Sequence, residues 1–183
     1  MEYLRLSWDD IKRQCEALAK DIEDRGCSKY PIVGIVRGGL MPTRILSDML
    51  DNDELYTITV QFYESVGKTG NKPKIVHPIQ GDIRGKNLLL VDDISDTGES
   101  LIVAKEHLEE KGAREIIIAT LMKKPHTKFE PDIFADKTSA WVIFPWEIRE
   151  TIRDIKKSSK SKEEFEKEME KAGISKEEYD EYI

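Results

Sequence analysis

Hydrophobic and polar positions along the chain alternate between two kinds of segment. Ile11, Cys15, Leu18, Ala19 and Ile22 recur at helical spacing. Ser7 with Asp10 three residues on makes a capping-box variant before them, and Gly26 makes a stop after them. The spacing predicts an amphipathic helix over about 8–25. Residues 31–36 are an apolar run too short for a helix and read as a strand buried on both faces. Arg37-Gly38-Gly39 ends that strand, and Leu40-Met41-Pro42 opens a second helix whose inner face is Ile45, Leu46 and Met49. Residues 56–63 alternate and are rich in β-branched and aromatic side chains, a strand pattern. Residues 64–74, with Gly67, Gly70, Asn71 and Pro73, read as a mobile loop. Residues 87–91 form a second buried strand, and a third helix runs through Leu101, Ala104, His107 and Leu108 to a stop near Gly112. Strands follow at 116–121 and 141–144.

Strands alternating with helices predict an α/β fold with a mostly parallel, twisted sheet flanked by helices. In such sheets ligands bind beyond the carboxyl ends of the strands. Arg37-Gly38-Gly39 and the segment 92–100 both fall there.

From residue 151 onward charges dominate. Ser161 with Glu164 and Ser175 with Glu178 are two capping boxes, predicting two short helices separated at Gly173. The expectation is a domain over 1–150 and a charged helical extension over 151–183. Its Phe165, Met169, Tyr179 and Tyr182 would pack on the body or on a partner subunit.

Composition narrows the function. The 183 residues carry 29 Lys+Arg and 36 Asp+Glu, a net charge of −7, which argues against a general nucleic-acid binder. Only 39% of residues are hydrophobic and 36% are charged, and no stretch approaches the roughly 18 apolar residues of a spanning helix. Met1 to Arg5 has no basic segment leading into an apolar run, so no secretory signal is expected. Cys15 and Cys27 read as unpaired thiols of a cytoplasmic protein. His77, His107 and His126 form no cluster in sequence and receive no catalytic task; His107 is expected on the surface.

The densest chemistry is Leu88-Leu89-Leu90-Val91-Asp92-Asp93-Ile94-Ser95-Asp96-Thr97-Gly98-Glu99-Ser100. An apolar strand delivers two adjacent carboxylates, which are costly there unless a cation or hydroxyls meet them. Hydroxyls, a glycine and outward amides at a helix N-terminus follow, a geometry suited to a phosphate monoester. The loop is neither a Walker-type loop, lacking Gly-Lys-Ser/Thr, nor a dinucleotide fingerprint, lacking the glycine triplet.

The run from Val91 through Ser100 closely resembles the signature of type I phosphoribosyltransferases, which bind 5-phosphoribosyl-1-pyrophosphate (PRPP). The resemblance implies that Asp92 and Asp93 hold the ribose hydroxyls directly or through Mg²⁺, and that Thr97, Gly98, Glu99 and Ser100 cradle the 5-phosphate. Gly34-Ile35-Val36-Arg37-Gly38-Gly39-Leu40 resembles the family's pyrophosphate loop, with Arg37 and Gly38 at the diphosphate. Members often hold a cis peptide there, which is expected at Arg37–Gly38. Residues 64–74 take the place of the family's closing loop, which keeps water from the reaction centre. A small hood beside the sheet also follows from the resemblance.

Three features resemble the 6-oxopurine branch, the xanthine-guanine and hypoxanthine-guanine enzymes. Asp96 stands where those members carry an acid, implying a catalytic base for the purine N7 proton. Met122-Lys123-Lys124-Pro125 resembles their Lys-Pro, with Lys124 the better match for the donor to the exocyclic oxygen at C6 and Lys123 the fallback. Trp141-Val142-Ile143-Phe144-Pro145-Trp146-Glu147 resembles the purine segment: Trp141 would stack on the base and the Val142 carbonyl would accept from N1 or a C2 amino group. Glu147 is carried to a second Mg²⁺ and Arg153 to the pyrophosphate. Ile143 departs from the acid that the xanthine-guanine pattern has there, which favours guanine and hypoxanthine over xanthine.

The sequence thus implies a Mg²⁺-dependent purine-salvage enzyme that uses PRPP, assembled as a homodimer or homotetramer. The alternatives are the same fold with another acceptor base, and a PRPP-sensing regulator without catalysis.

Overall fold

The computed structural model describes residues 1–63 and 72–182. In chain order the elements are β1 (Tyr3–Arg5), α1 (Trp8–Asp24), β2 (Ile32–Val36), α2 (Leu40–Met49), β3 (Leu55–Tyr63), β4 (Lys72–His77), β5 (Asn87–Ser95), α3 (Glu99–Glu110), β6 (Glu115–Lys123), β7 (Ile133–Lys137), β8 (Trp141–Ile143), α4 (Ile148–Ser158), α5 (Lys162–Lys171) and α6 (Lys176–Asp180). They divide into two compact units, Lys12–Lys137 and Met1–Ile11 with Thr138–Ile183.

The larger unit is built on a six-stranded sheet in the order β4-β3-β2-β5-β6-β7. β3, β2, β5, β6 and β7 are parallel, and β4 is antiparallel to β3 at one edge. The unbroken apolar runs of β2 and β5 are explained by two covered faces. Val33, Ile35, Leu88 and Leu90 point to one side, where they bury Ile58, Ile118 and the Leu101, Ala104 and Leu108 stripe of α3. The opposite side carries α2, packed on β2 and β5. Its approach is close: a β-carbon on Gly34 would sit 2.6 Å from Thr43 Oγ1. The fold is therefore the mixed α/β architecture, mostly parallel, that the alternation of patterns predicts.

The smaller unit pairs β1 with β8 in parallel, Tyr3 opposite Trp141 and Arg5 opposite Ile143. Against this pair α4, α5 and α6 bury Ile143, Ile152, Ile155, Phe165, Met169, Ile174 and Tyr179. The Phe165 and Tyr179 rings meet edge-on at 5.2 Å. Tyr3 donates to Glu168 (3.0 Å), and Arg5 donates to Glu178 and to the Gly173 carbonyl. Burial, then the bond to the Glu168 carboxylate, pushes the Tyr3 phenol up to about 12. Ser175 and Glu178 close the expected capping box. At the other, the Ser161 hydroxyl takes the Glu164 N–H, but the Glu164 carboxylate takes the Lys160 N–H (2.7 Å), one residue before the expected partner.

The structure corrects the sequence reading at several points. β5 continues to Ser95, because Ile94 and Ser95 keep their register with Met122 and Lys123 of β6. β1, β4, β7 and α4 were not expected. Lys72–Lys74, expected in the mobile loop, belong to β4, while residues 64–71 of that loop lie outside the described residues. Tyr182 does not pack as expected; it is exposed, with Arg149 over its ring. His107 is not a free surface residue: it is half-buried and its Nε2 accepts the Ile79 N–H (3.2 Å). Both cysteines are free and buried, and burial pushes the Cys15 thiol up to about 12. Among the described residues no helix is long and apolar enough to cross a membrane.

Candidate active site

At the carboxyl end of β5 the pleat splits the two acids. Asp92 continues the face of Leu88 and Leu90, which α3 covers; Asp93 continues the face of Leu89 and Val91. Both are buried, at 8% and 6% exposure, and the Asp92 carboxylate accepts the Asp93 N–H (3.0 Å).

Asp93 meets the loop after β2. A β-carbon on Gly38 would lie 2.1 Å from Asp93 Oδ2, and one on Gly39 would strike the Val91 carbonyl oxygen at 2.6 Å. The two glycines therefore let the loop's bare backbone lie against the end of β5, bringing the two sequence-predicted loops together. The cis peptide of this loop is Val36–Arg37, one bond earlier than expected. Arg37 itself is exposed.

After Ser95 the chain turns through Asp96 and Thr97, both exposed, to Gly98, the N-cap of α3, with φ +80°. Gly98 has no side chain to cap this helix, and the amides of its first turn point along the helix dipole toward the end of β5. Such an end suits an anion. Thr97 Oγ1 accepts the Glu99 N–H (3.3 Å). A β-carbon on Gly98 would lie 2.7 Å from the Phe129 amide nitrogen and from Thr127 Oγ1, so the turn is pressed onto residues 127–129.

That second segment follows β6. The Lys124 N–H donates to the Ser95 carbonyl (2.9 Å) and the Lys128 N–H to the Thr97 carbonyl (2.9 Å). The Ser95 and Thr127 hydroxyls share a hydrogen bond of 2.8 Å, and Lys128 Nζ pairs with Glu99 (2.7 Å). The two candidate lysines part company here. Lys123 pairs with Glu130 and lies 4.1 Å from the centre of the Phe134 ring. Lys124 is 6% exposed; burial lowers its pKa, and the nearby Asp96 carboxylate offsets part of that fall. Sequence reasoning missed one contact: His126 Nε2 stands 3.0 Å from Asp96 Oδ1. Thirty positions separate the two, so no local motif could have marked the pair.

The remaining predicted residues belong to the smaller unit. Trp141 is half exposed and Val142 is buried. Trp141 and Glu147 line one cavity of about 380 Å³ with Tyr3, Glu150 and Asp154. Glu147 is the N-cap residue of α4.

Among the described residues no group of three or more His, Cys, Asp or Glu side chains could enclose a metal ion by itself. Two adjacent carboxylates at a strand end still fit Mg²⁺, which keeps several waters and takes one or two carboxylates plus substrate oxygens.

Comparison with known proteins agrees with this geometry. Residues 7–153 match the phosphoribosyl transferase domain family. A xanthine-guanine phosphoribosyltransferase of Desulfotalea psychrophila is 33% identical over 144 residues, 78% of this chain and 84% of the relative. The crystal structure of a purine phosphoribosyltransferase from Pyrococcus horikoshii Ot3 is similar at 41% identity and a TM-score of 0.72, covering 80% of this chain and 94% of that one. A Helicobacter pylori xanthine-guanine-hypoxanthine phosphoribosyltransferase gives 25% identity and a TM-score of 0.70, over 85% and 99%. With the family matched over most of its length and its two signature loops joined at Gly38 and Asp93, the chain belongs to the phosphoribosyltransferases and is a transferase.

Proposed function

We propose that the protein transfers the 5-phosphoribosyl group of PRPP to a 6-oxopurine, guanine or hypoxanthine before xanthine, giving the nucleoside 5-monophosphate and pyrophosphate. The observation that carries this reading is Lys124, a buried ammonium at the end of β6 beside Asp96. A lysine is donor-only and selects a carbonyl at C6 over adenine's amino group. The names of the relatives, purine and xanthine-guanine enzymes, support the same substrate class.

The other roles follow the residues. The N-terminus of α3, with Thr97, Gly98, Glu99 and Ser100, would bind the 5-phosphate, and Asp92 and Asp93 the ribose hydroxyls. Arg37 and the bare Gly38 backbone would face the diphosphate. Mg²⁺, held by Asp92 and Asp93 with Glu147 at a second ion, would supply charge neutralisation on the departing pyrophosphate. In the transfer the C1–N9 bond forms as the bond from C1 to the pyrophosphate oxygen breaks, and Asp96 takes the N7 proton. Trp141, half exposed, has ring surface for a base to stack on, and the Val142 carbonyl would read its edge. Ile143 is wholly buried in the apolar cluster of α4 and α5, which supports a site without the acid of the xanthine-guanine pattern. We take residues 1–150 to carry this activity, 151–183 to be an accessory extension, and the setting to be cytoplasmic, as a homodimer or homotetramer.

The test is a base panel with PRPP and Mg²⁺, read as nucleotide formation. Product with guanine and hypoxanthine is expected. Product with adenine or uracil but not guanine would overturn the reading.

A further inference from the structure

We propose that His126 is a positioning residue for Asp96: it fixes one carboxylate oxygen so that the other faces the purine. The proposal rests on the reading of Asp96 as the base that takes the N7 proton.

The pair is held by the backbone and is not a chance meeting of surface side chains. Asp96 lies between Ser95 and Thr97, and His126 between Lys124 and Lys128. The Lys124 N–H to Ser95 carbonyl bond and the Lys128 N–H to Thr97 carbonyl bond, both 2.9 Å, tie the two turns on either side of the contact. The shared bond of Ser95 and Thr127 hydroxyls, 2.8 Å, ties them between. With both backbones set, His126 Nε2 rests 3.0 Å from Asp96 Oδ1. As a donor, the ring uses its Nε2–H on that oxygen.

Asp96 needs such a restraint. Its charged neighbour is Lys124, whose buried ammonium feels the Asp96 carboxylate electrostatically. An exposed carboxylate can take several rotamers, and a hydrogen bond to one of its oxygens selects among them. His126 holds Oδ1 from the solvent side, where both side chains are more than half exposed. Among the described residues Oδ2 makes no protein hydrogen bond, so it is open to a ligand. Glu99 and Lys128, the other charges of the two turns, satisfy each other at 2.7 Å and do not compete for the pair.

The experiment is steady-state kinetics with guanine and PRPP on His126→Ala, His126→Gln and His126→Asn. His126→Ala should lower kcat about tenfold or more, the scale of a misplaced general base, while KM for PRPP stays within about twofold. His126→Gln sets an amide N–H close to where Nε2 stood and should recover most of the loss; His126→Asn, which is shorter, should not. In an Asp96→Asn background His126→Ala should cost nothing further. Equal rates for the Gln and Asn variants, or parallel losses in kcat and PRPP affinity, would overturn the proposal. If Asp96→Asn alone keeps full kcat, the base reading fails; if Asp96→Asn is impaired and His126→Ala is not, only the positioning role fails.

Discussion

The Asp93 carboxylate fills the space that a side chain at Gly38 would need: a β-carbon there would lie 2.1 Å from Asp93 Oδ2. Two loops more than fifty positions apart are thus fitted to one another, as the proposed binding of the ribose and diphosphate ends of one substrate requires.

Gly38→Ala and Gly39→Ala should therefore fail in different ways. At Gly38 the obstacle is a carboxylate, which can turn aside, so the fold survives and Asp93 is displaced. The expected result is a rise in KM for PRPP of about tenfold, one hydrogen bond to a charged group, with the unfolding midpoint nearly unchanged. At Gly39 the obstacles are backbone atoms, the Val91 and Ile35 carbonyl oxygens at 2.6 and 2.7 Å. Overpacking against a backbone costs about 1–3 kcal/mol, which thermal unfolding should register as a drop of roughly 2–4 °C per kcal/mol.

Lys123 and Lys124 should separate in the same manner. Lys124→Met keeps the buried volume and removes the donor, so KM for guanine should rise about ten- to a hundredfold, with PRPP binding retained. Lys123→Met breaks an exposed-end pair with Glu130 and should shift stability by less than about 1 kcal/mol, leaving both KM values as they were. Kinetics on the two variants in parallel check the assignment, and a larger base defect for Lys123→Met would reverse it.

Much of this was legible in the sequence because the chemistry is local. The run from Val91 to Ser100 carries its own spacing, and the apolar stretches at β2 and β5 announce a doubly covered sheet. What was missed lies where local pattern carries no information. β5 extends through Ile94 and Ser95 on hydrogen bonds to β6, which are indifferent to side-chain polarity. β4 begins Lys-Pro-Lys at the sheet edge, where proline is tolerated and the composition mimics a loop. α4 has a periodic Ile148, Ile152, Ile155 stripe, obscured by the charges around it. The contacts of Asp96 with His126 and of Gly38 with Asp93 depend on which strands lie side by side, and no single segment states that order.

His107 should give the protein a dependence on mild acid. Its Nε2 accepts the Ile79 N–H, so the ring must be neutral at that atom, and burial, with Lys111 nearby, holds its pKa below the ordinary value. The unfolded chain then binds a proton more readily than the folded one. The contribution to stability is complete above the unfolded value of about 6.5 and is lost as pH falls from there toward the depressed folded value. His107→Gln keeps an acceptor that does not titrate. Its unfolding midpoint should change less than the wild type's between pH 7 and pH 5, and identical profiles would exclude the histidine as the source.

The extension beyond residue 150 should act on stability and leave substrate affinity alone. Met169 is wholly buried between Ile143, Phe165 and the other apolar side chains of the smaller unit. Truncation to alanine removes those contacts and leaves a cavity, at about 2–5 kcal/mol. Ser175→Ala opens the capping box with Glu178 at the start of α6, a loss of about 1 kcal/mol. Denaturant unfolding should rank the two in that order, with KM for PRPP unchanged in both, because the turn at Gly98 proposed to bind the 5-phosphate belongs to the other unit. A change in PRPP affinity without a change in stability would instead give the extension a direct part in binding.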